Sequence, residues 1–332
     1  MNNFELLLAK KLSGGGGGSV AKKGVNFYDY DGTVVASYTA SEFAELTAMP
    51  DNPTHEGLTA QGWNWTLNEA KTYVASYGKL NIGQMYVTSD GKTRLYIELT
   101  EGRLQPWLKL YLNANSELDI DWGDGSAHST VTSTSGGSIS EQHVYSKAGN
   151  YIISIAVISG EFESRGSILT NNNNSSYSPD VGYMNSIKKI EIGNGVTSIA
   201  FSNCYSLSAI TIPSSVTRMG GSAFYNCYSL SAITIPANVN GISANMFYNC
   251  YSLSAITIPS SVTIILVDAF HNCYSLSAIT IPSSVTSIGS SAFYNCYSLA
   301  TITINKPSGS ISGSPWGAST SSPTSTRIVW TG

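Results

Sequence analysis

The chain has 332 residues, with 17 basic and 21 acidic side chains, a formal net charge of −4 and only 11% charged residues, less than half the usual quarter. That length exceeds one ordinary compact domain, so two or three folded units are expected, with solubility resting on neutral Ser, Thr, Asn, Gly and Tyr. Between Phe201 and Ala300 the only formal charges are Arg218 and Asp268, which leaves no basic stripe for nucleic acid, and no apolar run approaches the length of a membrane span.

The chain opens MNNFELLLAKKLSGGGGGS. Its apolar stretch Phe4 to Ala9 is short, carries Glu5 and runs into Lys10, Lys11 and a glycine tract. A secretory signal would place its long apolar core and cleavage site there, so export by the ordinary route is not expected. Phe4, Leu7, Leu8 and Leu12 fall near helical spacing, with Lys10 and Lys11 late, where the helix dipole favours them. Alone this segment is too short to be stable in water; it reads either as a peptide that folds on docking or as a frayed terminus. Residues 13–19 follow as a flexible linker, so residues 1–24 form an anchor segment with a glycine hinge.

Residues 25–92 read as a small α+β module. A hairpin from Asn26 to Tyr38 turns at Asp31-Gly32, a helix is expected near Ser41 to Thr47, a strand around Gly62 to Trp65, and a helix from Thr66 to Tyr77. Asp29-Tyr30-Asp31-Gly32-Thr33 resembles the D-x-D-G-T motif of haloacid-dehalogenase-type phosphotransferases. The resemblance implies Asp29 as nucleophile, Asp31 handling the proton and Mg²⁺ between them. That chemistry also needs a later lysine and an acidic pair on a doubly wound sheet, which this module is too small to supply, so the motif is read as a hairpin turn.

In residues 93–160, Asp119-Ile120-Asp121-Trp122-Gly123-Asp124-Gly125 precedes His143-Val144-Tyr145 and Gly149-Asn150-Tyr151. In order and spacing this resembles a PKD-type β-sandwich. Asp124-Gly125 makes a turn, and Tyr151 to Val157 alternates as a half-buried strand. Asp119, Asp121 and Asp124 lack the full oxygen set of a calcium loop, and no metal is assigned to them.

Residues 161–305 carry a repeat. All five cysteines, Cys204, Cys227, Cys250, Cys273 and Cys296, stand 23 residues apart, each inside N-C-Y-S-L, and a fixed period means a stacked array. In the unit Leu276–Ser298 the apolar positions Leu276, Ile279, Ile281, Val285, Ile288, Phe293 and Cys296 recur in the neighbouring units, so one side of every coil is buried. Leu-Ser-Ala-Ile-Thr-Ile-Pro is a short strand ended by proline. The odd count, the parallel inward direction and the small apolar slot make the cysteines a ladder of free buried thiols rather than disulfides or metal ligands. The asparagines before them, Asn203 to Asn295, are expected to satisfy backbone groups in the turn. One coil cannot bury enough to fold alone, so the array needs capped ends. The strings A-F-x-N-C-x-S-L and I-T-I-P-S-S-V-T-S-I-G resemble BspA-like leucine-rich repeats, from Ile187 to Ile304. The first copy lacks three residues between Ile199 and Phe201. Residues 306–332 read as the cap, with a strand Thr326 to Trp330 and Trp316 across the last coil.

The fold class expected is thus mainly β and multidomain: a small α+β module, a PKD-like β-sandwich and a leucine-rich-repeat solenoid. No catalytic constellation, metal site or cofactor is expected, because the four histidines are scattered and the solenoid lacks paired carboxylates. Tyr205, Tyr228, Tyr251, Tyr274 and Tyr297 follow the cysteines, and Tyr225, Tyr248 and Tyr294 precede the asparagines. Between inward Phe and Cys, these rings should emerge as two stripes. They are the candidate ligand-binding residues, for a host cell-surface protein or glycan, or else ladders that only stiffen the coil. The strand face, rows of Ser, Ala and Thr, is too uniform to read a ligand. BspA-like repeats and PKD-like domains imply adhesion or surface recognition. Joined to the absence of a secretory start, that points to a phage or prophage virion component, a tail fibre or receptor-binding protein. On that reading residues 1–24 dock to a virion protein and the chain can form a homo-oligomer. A bacterial cell-surface adhesin is the alternative, and a phosphatase using Asp29 and Asp31 is the third reading.

Overall fold

A computed structural model describes residues 23–171, 183, 185–318 and 326–331; the expected anchor helix and its glycine hinge lie outside these residues. In the first unit, β1 (Val25–Tyr28) and β2 (Val34–Tyr38) form the hairpin. Its turn is closed by Asp29 N to Thr33 O at 2.9 Å, and Asp31 Oδ1 accepts from Thr33 N at 2.9 Å. The first helix, α1 (Ala40–Ala44), starts earlier than expected, because Thr39 and Glu42 make a reciprocal capping box that fixes its first turn. The following strand is also earlier, β3 (Leu58–Trp63). Helix α2 (Leu67–Tyr77) is capped by Thr66 with Glu69 and ends at Gly78, whose φ of 75° suits glycine. Strand β4 (Leu80–Thr88) then lies parallel to β1, in the order β2-β1-β4-β3. The helices cover one face of this sheet through Phe27, Phe43, Trp63, Val74 and Ile82.

The second unit is a two-sheet sandwich. One sheet holds β5 (Thr93–Leu99), β7 (Ser116–Asp121), β8 (Ser129–Ser133) and β10 (Gly149–Ser159). The other holds β6 (Trp107–Leu112), β9 (Gly137–Gln142), β11 (Phe162–Glu163) and β12 (Leu169–Thr170). Strand β7 alternates buried Leu118 and Ile120 with outward aspartates, the pattern of a half-buried strand. The residues of the W-G-D-G, H-x-Y and G-x-Y strings meet at one corner. Trp122 stacks on His143 at 4.8 Å, the Tyr145 hydroxyl donates to Trp122 O at 2.9 Å, and Tyr145 packs on Tyr151 at 4.3 Å.

Both sheets continue into the repeats. Strand β13 (Ile187–Glu191) pairs antiparallel with β5, and β15 (Ala209–Thr211) adds to it in parallel. On the other side β14 (Val196–Ile199) pairs with β11, and β16 (Arg218–Met219) with β14. One apolar cluster runs through sandwich and coils alike, so the sandwich closes the first coil's open end. Beyond it, an inner row of short strands follows: β17 (Ala232–Thr234), β19 (Ala255–Thr257), β21 (Ala278–Ile281) and β23 (Thr301–Ile304). The outer row is β18 (Gly241–Ile242), β20 (Ile264–Ile265) and β22 (Ser287–Ile288). Ile242, Ile265 and Ile288 stack at the 23-residue period, whereas Ile199 pairs with Met219 because of the short first bend.

The five cysteines are free and buried. Each of the last four points its thiol at a phenylalanine carbonyl of the preceding coil, as Cys250 Sγ does to Phe224 O at 3.2 Å. The asparagines before them hold φ of 58° to 61°, a left-handed conformation that Asn tolerates better than most residues. Their amides form a ladder, Asn226 to Asn203, Asn249 to Asn226, Asn272 to Asn249 and Asn295 to Asn272, at 2.6–2.9 Å. At the far end β24 (Arg327–Trp330) pairs parallel with β23, and buried Trp316 contacts Trp330 at 6.4 Å between ring centroids.

Candidate functional site

The 23-residue stacking sets the tyrosines in register. Tyr205, Tyr228, Tyr251, Tyr274 and Tyr297 form a continuous stack with centroid spacings of 4.5, 4.7, 4.7 and 5.3 Å. Tyr225, Tyr248 and Tyr294 form a second stack, and its gap is filled by His271 at 4.4 Å from Tyr248 and 4.9 Å from Tyr294. The tyrosine pattern alone misses His271; the period finds it, because it stands 23 residues after Tyr248 and before Tyr294. Its ring is held by Asp268, Nδ1 to Oδ1 at 3.1 Å.

The stripes are not uniformly exposed. Tyr205, Tyr225, Tyr228, Tyr248 and Tyr251 are half-buried, while Tyr274, Tyr294 and Tyr297 are 36%, 47% and 55% exposed. Stacking consumes ring faces, so the ladders present edges and hydroxyls. Burial, followed by the neighbouring Tyr205 hydroxyl, pushes the Tyr228 phenol up to about 12.

The inner strand face, by contrast, is not a free surface: the N-terminal module sits on it. A Cβ on Gly83 would come within 2.4 Å of both Thr234 Oγ1 and Thr257 Oγ1, and one on Gly32 within 2.8 Å of the Ala232 methyl. Asn64 Nδ2 donates to Ile235 O at 3.1 Å and Thr257 Oγ1 at 3.3 Å, its Oδ1 accepts from Gly83 N at 2.7 Å, and Trp65 Nε1 donates to Ile258 O at 3.4 Å. Ala209 and Ala232 are buried beneath this cover, Ala255 is half-buried and Ala278 is exposed. The rows of small residues that read as featureless are the seat of another part of the same chain.

At the junction of all three units Lys189 and Glu191 form a fully buried ion pair at 3.0 Å. Lys189 Nζ donates to the Tyr30 hydroxyl at 3.2 Å, and the Tyr96 hydroxyl donates to Glu191 Oε2 at 2.8 Å. Burial first, then the Glu191 charge, holds the Tyr96 phenol well above its ordinary range.

Asp29, first residue of the D-x-D-G-T string, is buried with its Oδ2 2.7 Å from His55 Nε2, while its Oδ1 accepts from Tyr30 N. Asp31 is spent on the turn. Asp119 and Asp121 lie 2.9 and 3.8 Å from His128, and Asp124 lies 2.8 Å from His143. Among the described residues no group of three or more His, Cys, Asp or Glu has a metal-holding arrangement.

Residues 194–319 match the BspA type leucine rich repeat region in six copies. None of the curated proteins matches the chain. Among solved structures it is similar to a leucine-rich repeat protein from Bacteroides ovatus ATCC 8483, with 28% identity over 43% of each chain and a TM-score of 0.34. It is also similar to the T. pallidum leucine rich repeat protein, with 25% identity over 47% of this chain and 60% of that one and a TM-score of 0.27. A third is a leucine rich cell surface protein from Faecalibacterium prausnitzii A2-165, with 24% identity over 44% and 50% and a TM-score of 0.29. The chain thus spans about half the length of the solved structures it matches.

Proposed function

We propose that this chain is a non-enzymatic surface-recognition protein that presents the far end of its repeat solenoid to a host cell-surface protein or glycan. The observation that carries the reading is the exposure of the last rings of the two ladders. Tyr274, Tyr294 and Tyr297 are three of the seven large apolar side chains exposed among the described residues. Exposed apolar groups of this size mark interaction surfaces. Tyr274 and Tyr297 stack on each other at 5.3 Å and Tyr294 packs on His271 at 4.9 Å, so little rotamer freedom remains to be lost on binding.

The PKD-like corner and the order of the chain support a more specific setting. On this reading residues 1–24 serve as anchor and hinge, and the coils follow the module and the sandwich in chain order. This is the layout of a phage or prophage tail fibre or receptor-binding protein. Mass spectrometry of purified particles tests the setting: the chain is expected among virion proteins, and recovery from the cell envelope alone would replace this reading with the adhesin one. Recognition itself is tested by replacing Tyr274, Tyr294 and Tyr297 with serine together. Host-cell binding is expected to fall about tenfold or more with thermal unfolding of the coils little changed, and undiminished binding refutes the ladder's role.

A further inference from the structure

A large groove lies on the side of the solenoid away from the N-terminal module. It has a volume of about 1230 Å³ and sits where the second sandwich sheet meets the outer strand row. Three cationic side chains, Lys109, Arg165 and Arg218, line it together with one carboxylate, Glu163, in a chain whose net charge is −4. Arg218 is also one of only two formal charges between Phe201 and Ala300, so the repeat departs from its neutral pattern at this groove.

The charges are organised around Glu163, whose side chain is 6% exposed. Arg165 Nε donates to its Oε2 at 2.8 Å and Arg218 Nη2 to its Oε1 at 2.9 Å. The Arg165 guanidinium is further held 3.3 Å above the Tyr111 ring. One cation would neutralise a buried carboxylate; here two arginines share it, and both remain 53% and 68% exposed. Each spends one N–H on Glu163 out of the five that a guanidinium carries. The fixed carboxylate therefore aims two guanidinium groups that keep donors for an anion, the geometry arginine uses to recognise carboxylate, sulfate or phosphate oxygens. Around them stand hydroxyls and amides, among them Ser140, Ser167, Asn203, Ser222 and Asn240, which match the alternating donors and acceptors of a polyol. The volume exceeds the roughly 300–1,000 Å³ typical of small-molecule sites, which suits several linked rings.

We propose that this groove binds an anionic oligosaccharide, its acidic group taken by Arg165 and Arg218 and its sugar rings by the serine and asparagine walls. The proposal rests on the recognition reading above for its setting but uses a different face from the tyrosine ladder.

The test is titration of the full chain with three oligosaccharides of similar length: a uronate, whose anion is carboxylate, a sulfated galactan, and a neutral galactan. At least one acidic probe is expected to bind about tenfold or more tightly than the neutral one, and to weaken as salt rises. Arg218→Ala and Arg165→Ala should each remove most of that preference. Arg218→Lys should recover only part, because an ammonium lacks the planar pair of donors. Because Arg218 is largely exposed, the variants should keep the wild-type unfolding temperature, and that is checked alongside. Equal binding of all three probes, or a preference untouched by Arg218→Ala, overturns the proposal. The Tyr274, Tyr294 and Tyr297 serine variant separates the two readings. If it loses cell binding yet keeps the acidic preference, both sites stand; cell binding without any acidic preference sinks the groove alone.

Discussion

Gly83→Ala tests whether the N-terminal module is seated on the inner strand row. Gly83 lies in β4 without a positive φ, so alanine brings no backbone penalty there. Acting on the unfolded chain alone it would stabilise by about 0.4–1 kcal/mol. The added methyl, however, meets Thr234 Oγ1 and Thr257 Oγ1 at 2.4 Å and Thr234 Cγ2 at 2.6 Å, on neighbouring coils that are hydrogen-bonded to each other in parallel. The seam must open by about an ångström, an overpacking cost of about 1–3 kcal/mol. Opening also strains the Asn64 bonds to Ile235 O and Thr257 Oγ1, worth about 1 kcal/mol each. A net loss of about 1–3 kcal/mol is expected.

Hydrogen-exchange mass spectrometry on the full chain locates the effect. Faster exchange is expected in β3, β4, β17 and β19, with the sandwich corner and the last coils unchanged. Removing the two hydroxyls by Thr234→Ala and Thr257→Ala should relieve the clash, giving a favourable coupling of about 1 kcal/mol or more between the sites. If Gly83→Ala instead stabilises the chain and leaves exchange at these strands as it was, the module does not rest on the solenoid and the account of the inner face fails.

Three further outcomes are expected. Burial pushes the thiols of Cys204 and Cys296 up to about 12, so no cysteine should react with Ellman's reagent at pH 8 in the folded chain, and all five should react after denaturation. Reaction of even one in the folded state contradicts the buried ladder. Asn249→Ala loses the bond to Asn226 Oδ1 and the one from Asn272 Nδ2 and must still hold a φ of 61°, so it should cost about 2–4 kcal/mol in urea unfolding. Asn249→Gly should cost less, since only the hydrogen bonds are lost, and equal costs would show that the left-handed turn plays no part. Burial opposes ionisation of Asp124, but hydrogen bonds from Ser126 and His143 outweigh it and hold the carboxyl at about 2. A folded value below the unfolded one of about 3.9 gives stability that is full above about pH 4 and lost as pH falls through 2, on the order of 1–2 kcal/mol. Chemical unfolding between pH 2 and 5 should show that slope in the wild type and a shallower one in Asp124→Asn.

What the sequence disclosed and what it hid divide by the range over which a contact repeats. A coil stacks on its neighbour through residues 23 positions apart, so the same pairing is written several times over. Cysteine burial and the aligned tyrosines could be read from one period, and the shortened first bend showed as three missing residues before Phe201; the asparagines, expected to satisfy backbone groups, bond to one another from coil to coil. The strings around Trp122, His143 and Tyr145 marked a β unit with a turn at Asp124-Gly125, but that these rings meet at one corner was not read from their order. The docking of the module was not legible, because Asn64 reaches Ile235 and Thr257 across 171 and 193 positions and that contact occurs once. Its only local traces are Gly32, Gly83 and the small Ala and Thr rows, each of which has an ordinary reading as turn, strand or solenoid filler. The early start of α1 was hidden more simply, since Thr39 and Glu42 form the capping box just ahead of a serine that also suits a helix start.

That single long-range contact decides where recognition can take place. A solenoid ordinarily offers its concave strand surface to partners, and here β15, β17 and β19 carry the chain's own module. The sandwich closes one end of the stack by continuing both sheets, and β24 closes the other. What remains outward is the tyrosine edge of the distal coils and the arginine groove behind them, and the two are built alike. In each, a side chain suited to contact is fixed by a neighbour: the adjoining ring in the ladder, buried Glu163 in the groove. Prior ordering lowers the entropy lost when a ligand is engaged. On the proposed reading the uniform coils set the spacing, and the positions where the repeat departs from its consensus, Arg218 on one side and His271 with Asp268 on the other, lie beside the two proposed contact surfaces.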